Sequence, residues 1–558
     1  MKDLANVGLY LDWSDPDPDE DGVFGRDVAV EGFCEALLRY SSPGKIRLFR
    51  NSPVLSVGSD GSDRLQSMAL SGVDPVFSEI RKLKADFESH PFSVWHDMDG
   101  NLQSAHDLRA RYSSRLYPIT ATPHVFSYAT LGHSWVLRML LQPGYSCDAM
   151  ICPTRAAKSA FTNLVDGVRD SLAQSHDLKL EFEPRTDIIP LGLDTELFRP
   201  RPKHPIRKKL NLPKEVLILL WVGRLSPLDK ADLLPLIRVF FQLCRDNPDE
   251  QLILLIGGSG HRFVERTLVD YVNKLGLSDK VIFSTVPSEE RHLYHAAADI
   301  FLSPADSIQE TFGITPIEAM SCGVPQVVSD WNGYKDTVVD GKTGFRIDTM
   351  MTSCDEDVSQ SAGVYDGGDM FDHFLMGQST VIDPVMMQKR LQELISNKDL
   401  RYQMSQESRQ RALQCYDWSV VIKSYEELWS ELGDIAKKLS WKSSAKEDYE
   451  GLKLSQIFGH YATQKKDLFI MTFVLSDFGE RVCDHKEILP AYQSVVGVLS
   501  VPIICALMDI LREKKFTYEL IVKHMQGNSE IKITRNQISK HLLWLLKMGL
   551  ILSVEPEF

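Results

Sequence analysis

The sequence predicts an α/β chain. Two Rossmann-like, doubly wound domains face a cleft, and a small, mainly α domain with the layout of a winged helix follows them. Three observations carry this. Short apolar runs alternate with helix-patterned stretches from residue 6 to residue 330, as in a parallel sheet covered by helices. The alternation pauses once, at the Pro- and base-rich "FRPRPKHPIRKKLNLPKE" (198–215), which reads as an interdomain linker. The tail instead shows three amphipathic helical stretches, "PIICALMDILREKKF", "TYELIVKHMQ" and "TRNQISKHLLWLLKMG", before a terminal strand.

In the first half, "NVGLYLD" (6–12) is the first strand. The acidic loop "DPDPDED" follows, then a helix at 28–40. Further strands are expected at 45–51, 92–99, 116–124, 148–154 and 186–194. The second half supplies strands at 216–223, 251–258, 280–285, 299–305 and 325–330. The expected boundaries are 1–200 for the first domain, with a return helix at about 417–438, and 201–416 for the second. A polar insertion at 349–380 interrupts the second domain, 439–454 is a linker, and 455–558 is the last domain. Ligands belong at the carboxyl ends of the strands, in the cleft.

Composition narrows the class. The 558 residues carry a net charge of −14, with 62 basic and 76 acidic side chains, which argues against nucleic acid as a partner. Nine cysteines without a C-x-x-C fit reduced thiols better than disulfides or a zinc site. No basic segment precedes an apolar run at the N-terminus, and the longest apolar runs are too short or too interrupted to span a bilayer. A cytoplasmic protein is expected, with peripheral membrane contact left open.

Several residues are placed for chemistry. The first strand of the second domain ends at Gly223-Arg224, and Lys230 follows. Glycine admits a ligand to the backbone, and the two cations suit a diphosphate, although they read equally as solvated loop charges. Gly257, Gly258 and Gly260 end the next strand, but their spacing is not that of a dinucleotide fingerprint. In "QETFGITPIEAMSCGVP", Thr315, Pro316 and Glu318 have the spacing of a capping box, and Gly323 and Pro325 stop the helix. Glu310 has no such local duty. A helix N-terminus opening from Gly313 is an anion site. His96, Asp97 and Asp99 end a first-domain strand; they read either as acceptor-orienting groups or as structural ones. Arg109, Arg111 and Arg115 read as a solvated helix face or as contacts to an anionic acceptor. Asp336 reads as a backbone cap. Arg535, Lys540, His541 and Lys547 lie on the last helix, whose apolar face favours protein docking or self-association through 455–558 over DNA.

These segments, in this order, resemble the retaining family-4 glycosyltransferases (glycosyl transferases group 1) of the GT-B fold. "GRLSPLDKADLL" is similar to the family's G-R…K-G-x-x-x-L segment, "IIPLGLDTELFRP" to its I-P-N-G-V-D-x-x-x-F-x-P, and 309–330 to its E-x7-E region. The resemblance is dense from Ile188 to Phe345, thinner over 1–187, and excludes the tail. It implies transfer of a sugar from a nucleotide-diphosphate-sugar donor, UDP by base rate, to an unidentified acceptor. No metal or other cofactor is implied. Arg224 and Lys230 would bind the diphosphate, Glu310 the sugar hydroxyls and Glu318 the ribose. The amides of Phe312, Gly313, Ile314 and Thr315 would meet phosphates and sugar, and Thr285 and Val286 would lie by the base. Gly25 resembles the glycine-loop position, although the family often has two adjacent glycines where this chain has "GVFG". His124 resembles the histidine near the leaving group. Rival expectations are an epimerase or phosphorylase on the same fold, or an inactive scaffold regulating through its tail.

Overall fold

The computed structural model describes residues 6–11, 25–42, 44–50, 73–79, 92–98, 100, 102–127, 132–141, 144–352, 369–441, 461, 468–487, 499–527 and 533–554. They fall into two compact bodies, the described residues of 6–441 in one and those of 461–554 in the other.

The first body holds two parallel sheets. In the first lobe, β1 (Asn6–Leu11), α1 (Gly25–Tyr40), β2 (Gly44–Arg50), β3 (Val73–Glu79), β4 (Val94–Asp97), α2 (Leu102–Tyr112), β5 (Ile119–Ala121), α3 (Gly132–Leu141), β6 (Ala149–Cys152), α4 (Arg155–His176) and β7 (Arg185–Ile188) follow one another. The strand order is β3-β2-β1-β4-β5-β6-β7, every pair parallel. β4, β5 and β6 are buried throughout, which is why they read as short apolar runs. β3 escaped the sequence reading because Pro75 interrupts it. Pro75 lacks an N–H, and β3 sits on the sheet edge, where that costs least.

The second lobe opens with α5 (Lys203–Lys209), inside the stretch expected to be a linker. That expectation is corrected: Arg207 is buried and bonds the carbonyls of Lys214, Val216 and Ala297, and Asp299 at 2.7 Å. The lobe continues through β8 (Leu217–Val222), α6 (Leu234–Asp246), β9 (Leu252–Gly257), α7 (Arg262–Lys274), β10 (Val281–Ser284), α8 (Arg291–Ala297), β11 (Ile300–Ser303), α9 (Ile314–Ser321), β12 (Gln326–Ser329), α10 (Tyr334–Thr337) and β13 (Gly344–Ile347). Its sheet order is β10-β9-β8-β11-β12-β13, again all parallel. The insertion is not merely a polar excursion. Its flanks form β14 (Thr349–Met351), α11 (Asp369–Gln378) and β15 (Thr380–Ile382), with β14 and β15 antiparallel; 353–368 lie outside the described residues.

After α12 (Pro384–Ser396) and α13 (Lys398–Cys415), α14 (Trp418–Ala436) returns to the first lobe. It buries Trp418, Tyr425 and Trp429 against α1 and β1–β4. Full burial of such a side chain stabilises by about 1.5–3 kcal/mol. The chain crosses between lobes twice, and the crossings pair: Leu193 N–H donates to the Tyr416 carbonyl, and Trp418 N–H to that of Leu193.

The second body contains β16 (Thr472–Leu475), α15 (Asp477–Cys483), α16 (Val501–Glu513), β17 (Phe516–Thr517), α17 (Tyr518–Gly527), α18 (Arg535–Lys547) and β18 (Ile551–Val554). The sheet order is β17-β16-β18. Its central strand therefore comes from ahead of the helices, where a winged helix would place a hairpin after the last one.

Candidate functional site

The carboxyl ends of β8 and β11 bring the site together. Beyond Gly223 the chain turns tightly, Lys230 and Ala231 both donating to the Ser226 carbonyl. Lys230 Nζ lies 2.6 Å from Glu310 Oε2, and both side chains are largely buried. Burial alone would push Glu310 up, but the Lys230 charge, helped by the polar backbone at Phe312 and Gly313, outweighs it and holds it below the ordinary carboxylate range. Burial would likewise lower Lys230, and Glu310 more than reverses that. Glu310 therefore sits ionised against Lys230. Arg224 pairs with buried Asp229 at 2.8 Å.

Helix α9 leaves Gly313, whose φ of +93° is left-handed. A Cβ at Gly313 would stand 2.3 Å from Tyr334 Cε1, so glycine is required there twice over. The capping box is corrected. Gly313 is the N-cap, Thr315 lies inside the helix, and no side chain caps it. Among the described residues Thr315 Oγ1 is buried without a hydrogen-bond partner. Glu318 points elsewhere, fully buried, with Arg291 at 2.9 Å and His295 Nε2 at 3.0 Å. Burial pushes Glu318 up, and the Arg291 charge and His295 hydrogen bond bring it below its usual range. Arg291 and His295 share a face of α8 at i and i+4, a spacing visible in "RHLYH" but not singled out.

Thr285 is exposed and Val286 half-buried beyond β10, on the same sheet edge but three strands from β11. Ile314 opens α9, and Gly25 heads α1 after β1. His124 follows β5 from the first lobe, and its carbonyl accepts from Thr311 Oγ1 at 2.8 Å. Thr154 Oγ1 caps α4 and donates to the Thr311 carbonyl at 2.8 Å. Asp336 takes Arg155 Nε at 2.6 Å and Arg155 N–H at 2.5 Å, so it caps backbone across the cleft. Neither Thr311 nor Thr154 carried a sequence signal for this role.

The acceptor reading of His96 is corrected. Its ring is fully buried between Phe33, Tyr425 and Trp429, and its Nδ1 is 2.9 Å from Thr120 Oγ1. Burial, then the His124 charge, pushes it down to about 3. Asp97 is buried in the same strand, and Asp99 lies outside the described residues. Arg109 neither faces solvent nor awaits an anion. It is buried in a fork onto Asp148 at 2.6 and 2.7 Å. In the second body Arg535 pairs with Glu519, and buried His541 accepts from the Ser500 N–H at 2.8 Å. Among the described residues no helix is long and apolar enough to cross a membrane.

Comparison with known proteins gives a family and a fold. The family model described as Glycosyl transferases group 1 matches residues 202–354. A D-inositol 3-phosphate glycosyltransferase of Frankia alni is 31% identical over 192 residues, 33% of this chain and 46% of the relative. D-inositol 3-phosphate glycosyltransferase 2 of Catenulispora acidiphila is 34% identical over 167 residues, 29% of this chain and 38% of the relative. The chain thus spans under half the length of these curated relatives. In fold, a sucrose-phosphate synthase from Thermosynechococcus elongatus superposes with a TM-score of 0.50 at 16% identity, covering 77% of this chain and 100% of that one. A glycosyltransferase from Rickettsia africae gives 0.51 at 13%, covering 77% and 98%. The second lobe of this chain is therefore a glycosyl transferases group 1 domain, set in a GT-B architecture of two Rossmann-like lobes.

Proposed function

We propose that the protein is a retaining glycosyltransferase that takes a sugar from a nucleotide-diphosphate-sugar donor without a metal ion. The observation that carries this is the Lys230–Glu310 pair, which lies beside Arg224 at the open N-terminus of α9. A nucleoside diphosphate gathers negative charge as the bond from sugar C1 to phosphate oxygen breaks. Held cations and backbone amides stabilise that charge without reorganising, so Lys230 and Arg224 do work that a divalent ion would otherwise do. When the diphosphate arrives, it takes Lys230 and the amides of Phe312 and Gly313, and Glu310 turns to the sugar hydroxyls. The acceptor hydroxyl attacks C1 on the face that the phosphate leaves, and its proton passes to the departing phosphate oxygen. Retention follows without a covalent carboxylate intermediate, so the two-carboxylate scheme of glycoside hydrolases is not needed. UDP is the first base to test.

A thermal-shift panel of nucleoside diphosphates and nucleotide sugars tests the reading, since a ligand of the native state raises the melting temperature by mass action. A shift with at least one nucleotide sugar is expected, together with slow donor hydrolysis. Glu310→Ala and Arg224→Ala should each cut that hydrolysis about 10²-fold or more. A wild-type protein that binds no member of the panel is an inactive scaffold. D-inositol 3-phosphate, named in the curated relatives, belongs in the acceptor panel beside glycans and lipids.

A further inference from the structure

Three consecutive residues of the donor loop have three different attachments. Glu310 reaches Lys230. Phe312 turns back into the second lobe's core. Thr311, between them and nearly buried, is bonded to the first lobe through two of its polar groups: its hydroxyl donates to the His124 carbonyl and its own carbonyl accepts from Thr154, each at 2.8 Å. Behind it, a Cβ at Gly333 would lie 2.6 Å from the Thr311 carbonyl oxygen, so the loop packs closely against a position that only glycine fits. The Arg155–Asp336 pair reinforces the seam.

We propose that Thr311 is a positioning residue: it ties the donor loop Glu310–Gly313 to His124 and Thr154 of the first lobe, and so sets Glu310 for transfer only while the two lobes are clasped. The inference rests on the functional reading above and adds the residue that couples the lobes to it. Adjacent Cα atoms are about 3.8 Å apart, so a displacement of Thr311 reaches Glu310 almost undiminished. A misplacement of about 1 Å is worth up to about 10²-fold in rate. Binding of the nucleotide alone, which leans on Lys230, Arg224 and the amides, depends little on the clasp.

Thr311→Val keeps shape and removes the hydroxyl; Thr311→Ser keeps the hydroxyl. In the full chain without ligand, Thr311→Val should speed hydrogen exchange in the segments around His124 and Thr311 by about 5–10-fold, the loss of roughly one buried hydrogen bond. Thr311→Ser should match wild type. With UDP and UDP-glucose as probes, Thr311→Val should leave the UDP dissociation constant within about threefold and slow UDP-glucose hydrolysis at least about tenfold. Thr311→Ser should restore the rate. Unchanged exchange in Thr311→Val overturns the clasp. UDP binding weakened as much as hydrolysis makes Thr311 an ordinary part of the donor site and overturns the coupling. A wild type that binds no nucleotide sugar sinks the functional reading, while the exchange measurement still judges the clasp.

Discussion

Asp306 lies four residues before Glu310 and is nearly buried, with one carboxylate oxygen 3.3 Å from the Asp232 N–H. Burial pushes it up to about 7; the Asp232 amide opposes this and the Asp232 charge assists. The sign follows from proton counting. The folded state holds a proton that the unfolded chain loses near the ordinary aspartate value of 3.8, so stability is full below that pH and is lost as pH rises through about 7. The slope between those values approaches about 1.4 kcal/mol per pH unit for one group. Asp306→Asn keeps the acceptor and carries no charge. Its melting temperature should exceed that of wild type at pH 8 and converge with it near pH 4. Parallel pH profiles for the two proteins would sink this account. Lys230 and Glu310 behave differently at the same scale, because each compensates the other and both stay charged.

At the scale of elements, strands were easier to read than the ends of helices. Parallel strands covered on both faces are continuous apolar runs, so β8, β9 and β11 stand out in "LILLWV", "LILLIG" and "IFLS". β3 does not, because Pro75 belongs to an edge. The start of α9 misled because a box of the right spacing exists in the sequence, while a left-handed glycine begins the helix two residues earlier. Of the residues brought together at the ends of β8 and β11, Gly223, Arg224, Lys230 and Glu310 were legible in the sequence. Asp229, the partner of Arg224, was not, nor were Arg291 and His295, the partners of Glu318, since pairing depends on tertiary placement. The same lay unseen in Gly333, which looks like a turn residue but is required by contact: a Cβ there would stand 2.5 Å from the Phe312 Cα and 2.6 Å from the Thr311 oxygen. Gly333→Ala must therefore push the donor loop, and calorimetry should show nucleotide binding weakened about tenfold or more. Unchanged binding would mean that the loop adapts and that its position matters little.

At the scale of the molecule, the acidic chain divides where its cores divide. The last hydrophobic core, including Phe473, Leu507, Tyr518, Ile538, Leu542 and Ile551, is drawn wholly from residues beyond Tyr449. The return helix α14 is different, because its buried face is shared with α1 and the first sheet and cannot be removed from that lobe. A cut after Asp448 therefore leaves every described member of the donor site and of the interlobe seam in place, whereas a cut before Trp418 strips the first lobe of its cover. Residues 449–558 alone should unfold in one cooperative thermal transition by circular dichroism, since a domain of about 100 residues with its own core is large enough to fold by itself. Residues 1–448 should keep nucleotide affinity within about twofold, because Gly223, Arg224, Lys230 and Glu310 all lie in the first body. A truncated protein that folds but has lost nucleotide binding would make the tail part of the enzyme, and would redirect the search for its role from docking to catalysis.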